Sequence, residues 1–402
     1  MTAALRLPGE SRLRRVLSGD WPTFVAFFAV GLLVSAFFRL AWWRDVLLTG
    51  PVGSPAVVLG LFAVCCALGW RSLLRRTFLW ADPATLTWAD FGNADRVRAV
   101  SGRLWIAWAT RLLALGYLGA FLAALYEVPG WVWPAGGGVL LAGAVPAFVL
   151  AAGAGASSPV RLPVAVRAGR QELVEGWAER VVRTVSLTFL DPLMMLPSAR
   201  PAVTGSLRRR SLPRLAAAGI VGRTRYLGSA VLLALAAAAA HVALPGIPDA
   251  VLAGLGGFAA LLPFGGGLGE LWRSAGLRRW VDAPDRTLRA WHGAALAALA
   301  LGWGLLLLAG TALLDAPLTG TAWLVLPLVA AVVVRTVTRP PLDYGDLGMT
   351  DTPFGQAPVR LIAQLVRGPD LGIAGVWLLS VSPLGWFTVL TTFALVAWCV
   401  LR

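Results

Sequence analysis

Long apolar runs separated by short, arginine-bearing polar stretches organise this chain. A helix rises 1.5 Å per residue, so about 20 apolar residues cross a hydrocarbon core of roughly 30 Å. Runs of that length predict spans near Trp21–Trp43, Val52–Trp70, Trp105–Tyr126, Trp133–Gly153, Tyr226–Leu244, Ile247–Gly267, Ala294–Leu314 and Thr321–Arg335. The last apolar stretch, Leu371–Leu401, is long for one helix and short for two, and Ser382-Pro383 interrupts it. It predicts either a kinked ninth span or a short ninth plus a tenth. The expected fold is all-α: a polytopic helical membrane protein of 9–10 transmembrane helices with short amphipathic cytoplasmic helices. Residues 1–402 form one membrane domain: an amino-terminal segment 1–20, four spans over 21–153, a long polar segment 154–225, four spans over 226–335, a segment 336–370, and the last one or two spans over 371–402.

Composition agrees with the pattern. With 58% hydrophobic and 14% charged residues and a mean hydropathy of +0.73, the chain carries more apolar surface than one soluble core can hide. The net charge of +15 does not imply nucleic acid, because the arginines stand in blocks between apolar runs. That is the distribution of a membrane protein oriented by its positive charge. No lysine occurs. If the amino terminus, with Arg6, Arg12, Arg14 and Arg15, is cytoplasmic, alternation puts segments 71–104, 154–225, 268–293 and 336–370 on the same side. With residues 1–20, and counting Arg335 at their border, they hold 31 of the 35 arginines; Arg39, Arg44, Arg111 and Arg402 lie elsewhere. Arg111 is close enough to that face to snorkel back. No apolar run precedes the first span, so no cleaved signal peptide is expected. The opposite face has short turns with scattered acids: Asp45, Glu127, Asp249 and Asp315. Cys65, Cys66 and Cys399 lie inside apolar runs and predict neither a disulfide framework nor a metal site.

The polar returns resemble one another. The first reads WADPATLTWADFGNADRVRAVSGRLW, the second contains TFLDPLMMLPSARPAVTGSLRRR, and the third reads LRRWVDAPDRTLRAWHGAAL. The first two share Asp-Pro (Asp82-Pro83, Asp191-Pro192), an apolar patch, and a polar turn leading to Arg96 or Arg200. The first and third share Trp-x-Asp followed by Asp-Arg: Trp88, Asp90, Asp95 and Arg96 against Trp280, Asp282, Asp285 and Arg286. The spacings differ, which makes this a loose internal repeat. Asp82, Asp191, Asp95 and Asp285 stand where a helix N-cap belongs, and Pro83 and Pro192 suit a first helical turn. Such capped helices can anchor a bundle at the interface, their arginines reaching lipid phosphates. They can also dock a soluble partner, for which Leu193, Met194, Met195 and Leu196 offer an adaptable apolar contact. The two uses are compatible.

The stretch FLDPLMMLPSARPAVTGSLRR resembles a segment of the membrane subunits of type-2 ABC exporters. PFGQAPVRLIAQLVRGPDL, near the carboxyl end, is similar to an actinobacterial group of membrane proteins of that permease kind. The resemblance implies a plasma-membrane transport channel, the pairing of two permease subunits, identical or different, and short cytoplasmic helices resting on a separate ATPase subunit. The candidate docking residues are then Asp82, Pro83, Asp95, Arg96, Asp191, Pro192, Met194, Met195, Arg200, Asp282, Asp285 and Arg286. Nine or ten spans depart from the usual six, and no large external domain is present.

Absences narrow the choice. A Walker A loop needs a lysine to reach the phosphates, so this chain is not expected to hydrolyse ATP itself. Its expected partners are a separate ABC ATPase and membrane lipids, with no cofactor, no metal and no nucleic acid. His241 and His292 predict packed or interfacial side chains, since neither adjoins a cysteine or a carboxylate pair in sequence. An ion-coupled transporter would want an ionisable group near the middle of a span, and Arg39, Arg111 and His241 all lie toward span ends. The best candidate for a broken helix, GFAALLPFGGGLGELW, is explained as well by Gly265–Gly267 ending a span or packing closely. A membrane enzyme would want paired carboxylates. Glu172, Glu175 and Glu179 share a helical face, yet Arg180 and Arg183 stand within i, i+3 or i, i+4 reach. A non-transporting anchor or regulatory subunit is the remaining alternative.

Overall fold

The computed structural model describes residues 21–49, 54–91, 96–153, 164, 168–188, 192–196, 211–340, 348–352 and 355–401. Its first helices are α1 (Trp21–Phe38), α2 (Leu40–Leu47), α3 (Pro55–Leu74), α4 (Pro83–Phe91), α5 (Arg96–Tyr126), α6 (Val132–Ala152) and α7 (Arg170–Thr188). A 3-10 turn, Pro192–Met195, precedes α8 (Leu212–Val221), and a second, Thr224–Tyr226, leads into α9 (Leu227–Ala243). Then follow α10 (Asp249–Arg273), α11 (Ala275–Trp280), α12 (Asp285–Ala312) and α13 (Gly320–Val337). An antiparallel hairpin, β1 (Met349–Thr352) and β2 (Gly355–Pro358), pairs Met349 with Pro358. The chain ends with α14 (Val359–Leu365), α15 (Pro369–Val381) and α16 (Trp386–Leu401).

Among the described residues seven helices are long and apolar enough to cross a membrane: α3, α5, α6, α9, α10, α12 and α13. The fold is all-α and polytopic. Several spans outrun their apolar cores: α5 begins at Arg96 and α12 at Asp285, nine residues before Trp105 and Ala294, where apolar character sets in. A helix can run on past its apolar core in this way, because arginine stems can follow it while their charged heads reach the interface.

The packing has two centres. In the first, α3, α5 and α6 enclose Phe62, Trp70, Leu104, Leu115, Leu122 and Ala147, with Leu173 of α7 reaching in from the polar end. In the second, α9, α10, α12 and α13 enclose Ala234, Ala253, Leu261, Trp303, Leu326 and Val333. Leu61 of α3 meets Ala239, Ala240 and Ala243 of α9 and joins the two.

Helix α13 is the axis of the second bundle. It packs on α10, α12, α15 and α16, and 67% of its apolar window is buried against 11% for α5. Along α13, Thr336 faces Gly368, Val332 faces Gly372, Leu328 faces Gly375 and Gly320 faces Leu384. So α15 runs antiparallel to α13 over its whole length, and the turn at Ser382-Pro383 lies beside the amino-terminal end of α13. Helix α16 then returns, bringing Val400 beside Gly293 at the start of α12. The last apolar stretch is a hairpin of two short helices, not one kinked span.

Helix α10 passes unbroken through Pro263 and Gly265–Gly267 to Arg273. The glycines serve close packing: a methyl group at position 267 would lie 2.9 Å from the Cα of Gly219 on α8. Small residues let helix backbones approach in this way.

Candidate functional site

Antiparallel alternation brings the carboxyl ends of α3, α10 and α13 and the amino ends of α5, α9, α12 and α15 to one face. That face carries Arg71, Arg75, Arg103, Arg225, Arg273, Arg278, Arg289, Arg335 and Arg367. The three related returns all lie on it.

In the first return Asp82 caps α4. Its carboxylate accepts the Thr85 hydroxyl at 2.8 Å and the Thr85 amide at 3.1 Å, and these bonds hold its carboxyl below the usual carboxylate range. Pro83 is the first helical residue, where its missing N–H costs nothing. Arg96 opens α5; Asp95 lies outside the described residues. Before the cap, Trp80 is gripped from two sides. The Arg103 guanidinium stands 3.5 Å and the Arg180 guanidinium 4.3 Å from its ring centre, and Arg103 donates to the Trp80 carbonyl. The Trp177 ring packs 5.4 Å away, the Ala81 amide donates to the Leu173 carbonyl at 3.0 Å, and Arg170 donates to Thr87 at 3.0 Å. Helix α7 is thereby fastened over the first return. Arg180 serves that contact, where the α7 spacing had suggested a carboxylate neighbour.

In the second return Pro192 starts a single 3-10 turn. Leu193 is buried, and its carbonyl accepts Arg273 Nη1 of α10 at 2.7 Å. Leu196 packs on the second core, while Met194 is 38% exposed. The apolar run thus divides: Leu193 and Leu196 turn into the protein and Met194 faces out. Met195 is the last residue of the turn; Asp191 and Arg200 lie outside the described residues.

The third return holds α11, capped by the Ser274 hydroxyl, which accepts the Leu277 amide at 3.3 Å. Asp285 is not the N-cap of α12. Pro284 occupies that position, and Asp285 is the first helical residue. Its carboxylate takes a two-pronged grip from Arg278, Nε to Oδ1 at 3.0 Å and Nη2 to Oδ2. Arg278 and Arg289 both stack on Trp272, at 4.1 and 4.5 Å. The fastened helix leaves Trp280 80% and Leu277 52% exposed. Asp282 and Arg286 are exposed.

None of the ion pairs between described residues was expected from the sequence, and two of them tie spans together. Arg223, fully buried, donates to Glu270 of α10 at 2.6 Å and to the Gly219 carbonyl at 2.9 Å. At the opposite end His241 Nδ1 meets Asp249 at 2.7 Å, and the second Asp249 oxygen accepts the Thr319 amide at 2.8 Å. This ties the α9–α10 turn to the start of α13. The signal was available: His241 and Asp249 flank the tight turn LPGIP, which folds them together. His292 is buried and bonds through Nδ1 to the Leu288 carbonyl at 2.9 Å. At the end away from the arginines, a cavity of about 190 Å³ lies between α3, α5 and α6, lined by Phe62, Gly119, Val132 and Gly136 among others. Among the described residues no group of three or more His, Cys, Asp or Glu side chains could hold a metal ion.

These features define a multi-pass α-helical membrane protein with one arginine-rich face bearing short, cross-linked helices. Within that class, residues 224–346 match the model of a family of unknown function, DUF6297. The matched segment takes in α9, α10, α12 and α13, the spans around the second core. No curated protein matches the chain, and no solved structure does.

Proposed function

We propose that this chain is the permease subunit of an ABC-type exporter in the plasma membrane, with ATP hydrolysed by a separate subunit and the arginine-rich face in the cytoplasm. The observation that carries this reading is the way α11 is mounted. It joins α10 to α12, is fastened to both through Arg278, Asp285 and Trp272, and presents Leu277 and Trp280 outward. A partner pressing on α11 would move two spans of the second bundle together. Met194 offers a second contact on the same face, on a turn pinned to α10 through Arg273. The orientation follows from the arginine distribution, since positive loops stay cytoplasmic. Lacking lysine, the chain has no phosphate-binding loop of its own, which makes a partner ATPase necessary.

The test is reconstitution with a co-expressed ABC-type ATPase. The isolated chain should neither bind nor hydrolyse ATP, and Trp280→Asp with Met194→Asp should release the ATPase in a pull-down while the membrane level of the chain holds. An ATPase that stays bound to the double variant, or hydrolysis by the chain alone, sinks the reading. Single cysteines should react with an impermeant reagent added outside at Thr319 and not at Ser274.

An ion-coupled transporter is the second reading, favoured by the His241–Asp249 pair bridging two span turns. Transport that responds to a proton gradient, needs no ATP and is lost in His241→Ala would support it over the first.

A further inference from the structure

The two bundles meet on the arginine-rich face at a cluster that neither the returns nor the docking reading uses. Arg71 lies in the last turn of α3 and Arg75 just beyond it. Across the seam stand Arg225 and Tyr226 in the 3-10 turn and Ser229 in the first turn of α9. Arg71 Nε donates to the Ser229 hydroxyl at 3.2 Å, and Arg75 Nη2 donates to the same oxygen at 3.1 Å. Arg71 Nη2 also reaches the Arg225 carbonyl at 3.2 Å. The Arg75 and Arg225 guanidinium carbons stand 4.8 and 5.1 Å from the centre of the Tyr226 ring. Arg71 lies against Gly228 so closely that a methyl group there would be 2.6 Å from its Nη2.

Two guanidinium groups therefore converge on one hydroxyl, with a third across the tyrosine. Arginine does not shed its proton in proteins, so the convergence cannot be relieved by deprotonation. Neither Arg71 nor Arg75 has a carboxylate partner among the described residues; the ion pairs there belong to Arg44, Arg223, His241, Arg278 and Arg335. Ser229 supplies lone pairs and no charge. Each guanidinium has five N–H donors, and Arg71 directs two and Arg75 one to these partners. The donors left over share one small region, the arrangement that suits the tetrahedral oxygens of a phosphate.

We propose that Arg71, Arg75, Arg225 and Ser229 form a phosphate site that holds the headgroup of an anionic phospholipid at the seam between the bundles. The height of the site selects lipid over a soluble anion. Arg71 closes one span and Ser229 opens another, which sets the cluster at the level where headgroup phosphates lie, and Tyr226 is a side chain of that interfacial layer. The Arg71 and Arg75 charges, which face no carboxylate among the described residues, select a net-anionic headgroup over a zwitterionic one. The bound phosphate would bridge α3 of the first bundle to α9 of the second. This inference stands apart from the transport reading.

The full chain is purified in nanodiscs of phosphatidylcholine alone or with phosphatidylglycerol, and lipid retained by the protein is read by native mass spectrometry beside the thermal midpoint. Phosphatidylglycerol should be retained and should raise the midpoint of the native chain and of Arg214→Gln, an exposed change on α8. Retention should fall about tenfold in Arg75→Gln, the scale of one charge-assisted hydrogen bond, and vanish in R71Q/R75Q. Should the double variant fail to fold, Arg75→Gln decides, because it leaves the Arg71 bonds across the seam in place. A purely structural role predicts that Arg75→Gln lowers the midpoint equally with and without phosphatidylglycerol while retention is unchanged, and that result overturns the proposal. Inorganic phosphate added to the phosphatidylcholine sample is the other arm. If it raises the midpoint as far as phosphatidylglycerol does, the ligand is a soluble anion and the lipid assignment fails.

Discussion

The two bundles keep their helices together by different means. The first relies on large side chains and on arginines. Phe62, Trp70 and Trp108 fill the space between α3, α5 and α6, and Trp108 donates to the Ala144 carbonyl at 3.1 Å. Arg111 of α5 donates to Ser72 of α3 at 2.8 Å, and Arg44 of α2 pairs with Glu127 at 2.6 Å. The second relies on closeness. Alanine, glycine and valine line most contacts of α9, α10 and α13; among the few large rings, Trp303 lies over Gly256 and Gly257 and donates to the Ala230 carbonyl at 3.0 Å. In a bilayer the lipid tails are as apolar as the side chains, so helices associate through tight van der Waals fit and polar bonds, not through escape from water. The second bundle leans more on the fit, with a few buried polar bonds, and the first more on large rings and arginine bonds. The family match falls on the second.

The heaviest loss is expected at the most deeply buried charge of the second bundle. Arg223→Ala removes a fully buried guanidinium and strands Glu270. The expected cost is about 3 kcal/mol, the low end for breaking a buried pair because Glu270 is partly exposed, measured as unfolding in mixed micelles. Glu270→Gln, which keeps an acceptor, should cost less.

A paired substitution comes next. Gly267→Leu drives a side chain into the backbone of α8 and should cost about 2 kcal/mol or more. At Gly116 on α5 an added methyl group meets nothing within 4 Å and the position borders the cavity between α3, α5 and α6, so Gly116→Leu should stay within about 0.5 kcal/mol. Equal losses at the two sites would erase the distinction between the bundles.

Trp80→Ala tests the first bundle's polar fastening. It removes two arginine stacks and one ring contact, with an expected loss of about 1–2 kcal/mol. Hydrogen exchange should rise in α7 and leave α13 unchanged.

The smallest effect is at Asp82. Its carboxyl titrates below the usual range because the Thr85 hydroxyl and amide bind the charged form. The cap is therefore fully present above the ordinary carboxylate value of about 3.9 and is lost as pH falls through the lower folded value. Asp82→Ala should speed exchange of the Thr85 amide at neutral pH, and the difference from the native chain should close in acid. A difference that grew toward low pH would contradict the cap.

How far the sequence carried can be judged from particular residues. The apolar runs located α3, α5, α6, α9, α10, α12 and α13, because about 20 apolar residues in a row match the thickness of a bilayer's hydrocarbon core. They misjudged the ends, since hydropathy marks where lipid stops and not where the helix stops: α5 continues through Arg103 and Arg98 to Arg96. Asp82 was legible as a cap because Pro83 and Thr85 follow it. Asp285 stands one residue inside the cap position, which Pro284 occupies, and its carboxylate is held by Arg278 instead of the first-turn amides. The Arg223–Glu270 pair joins residues 47 positions apart, and no local pattern states which faces of two helices will meet. Strands β1 and β2 pair antiparallel, but the sequence between them carries no Asn-Gly, Asp-Gly or Gly-Gly pair and so lacked the usual hairpin signal.

The pairing of α15 with α16 fixes a parity. Gly368 starts beside Thr336, the turn comes level with Gly320, and Val400 comes back beside Gly293, so the last apolar stretch leaves and re-enters the same side. Whichever compartment the arginines occupy, Val400 shares it with Ser274 and is opposed to Thr319. A reporter enzyme that works in only one compartment, joined after Leu401, would therefore assign a side to every return at once, by bookkeeping of crossings and without altering a single span.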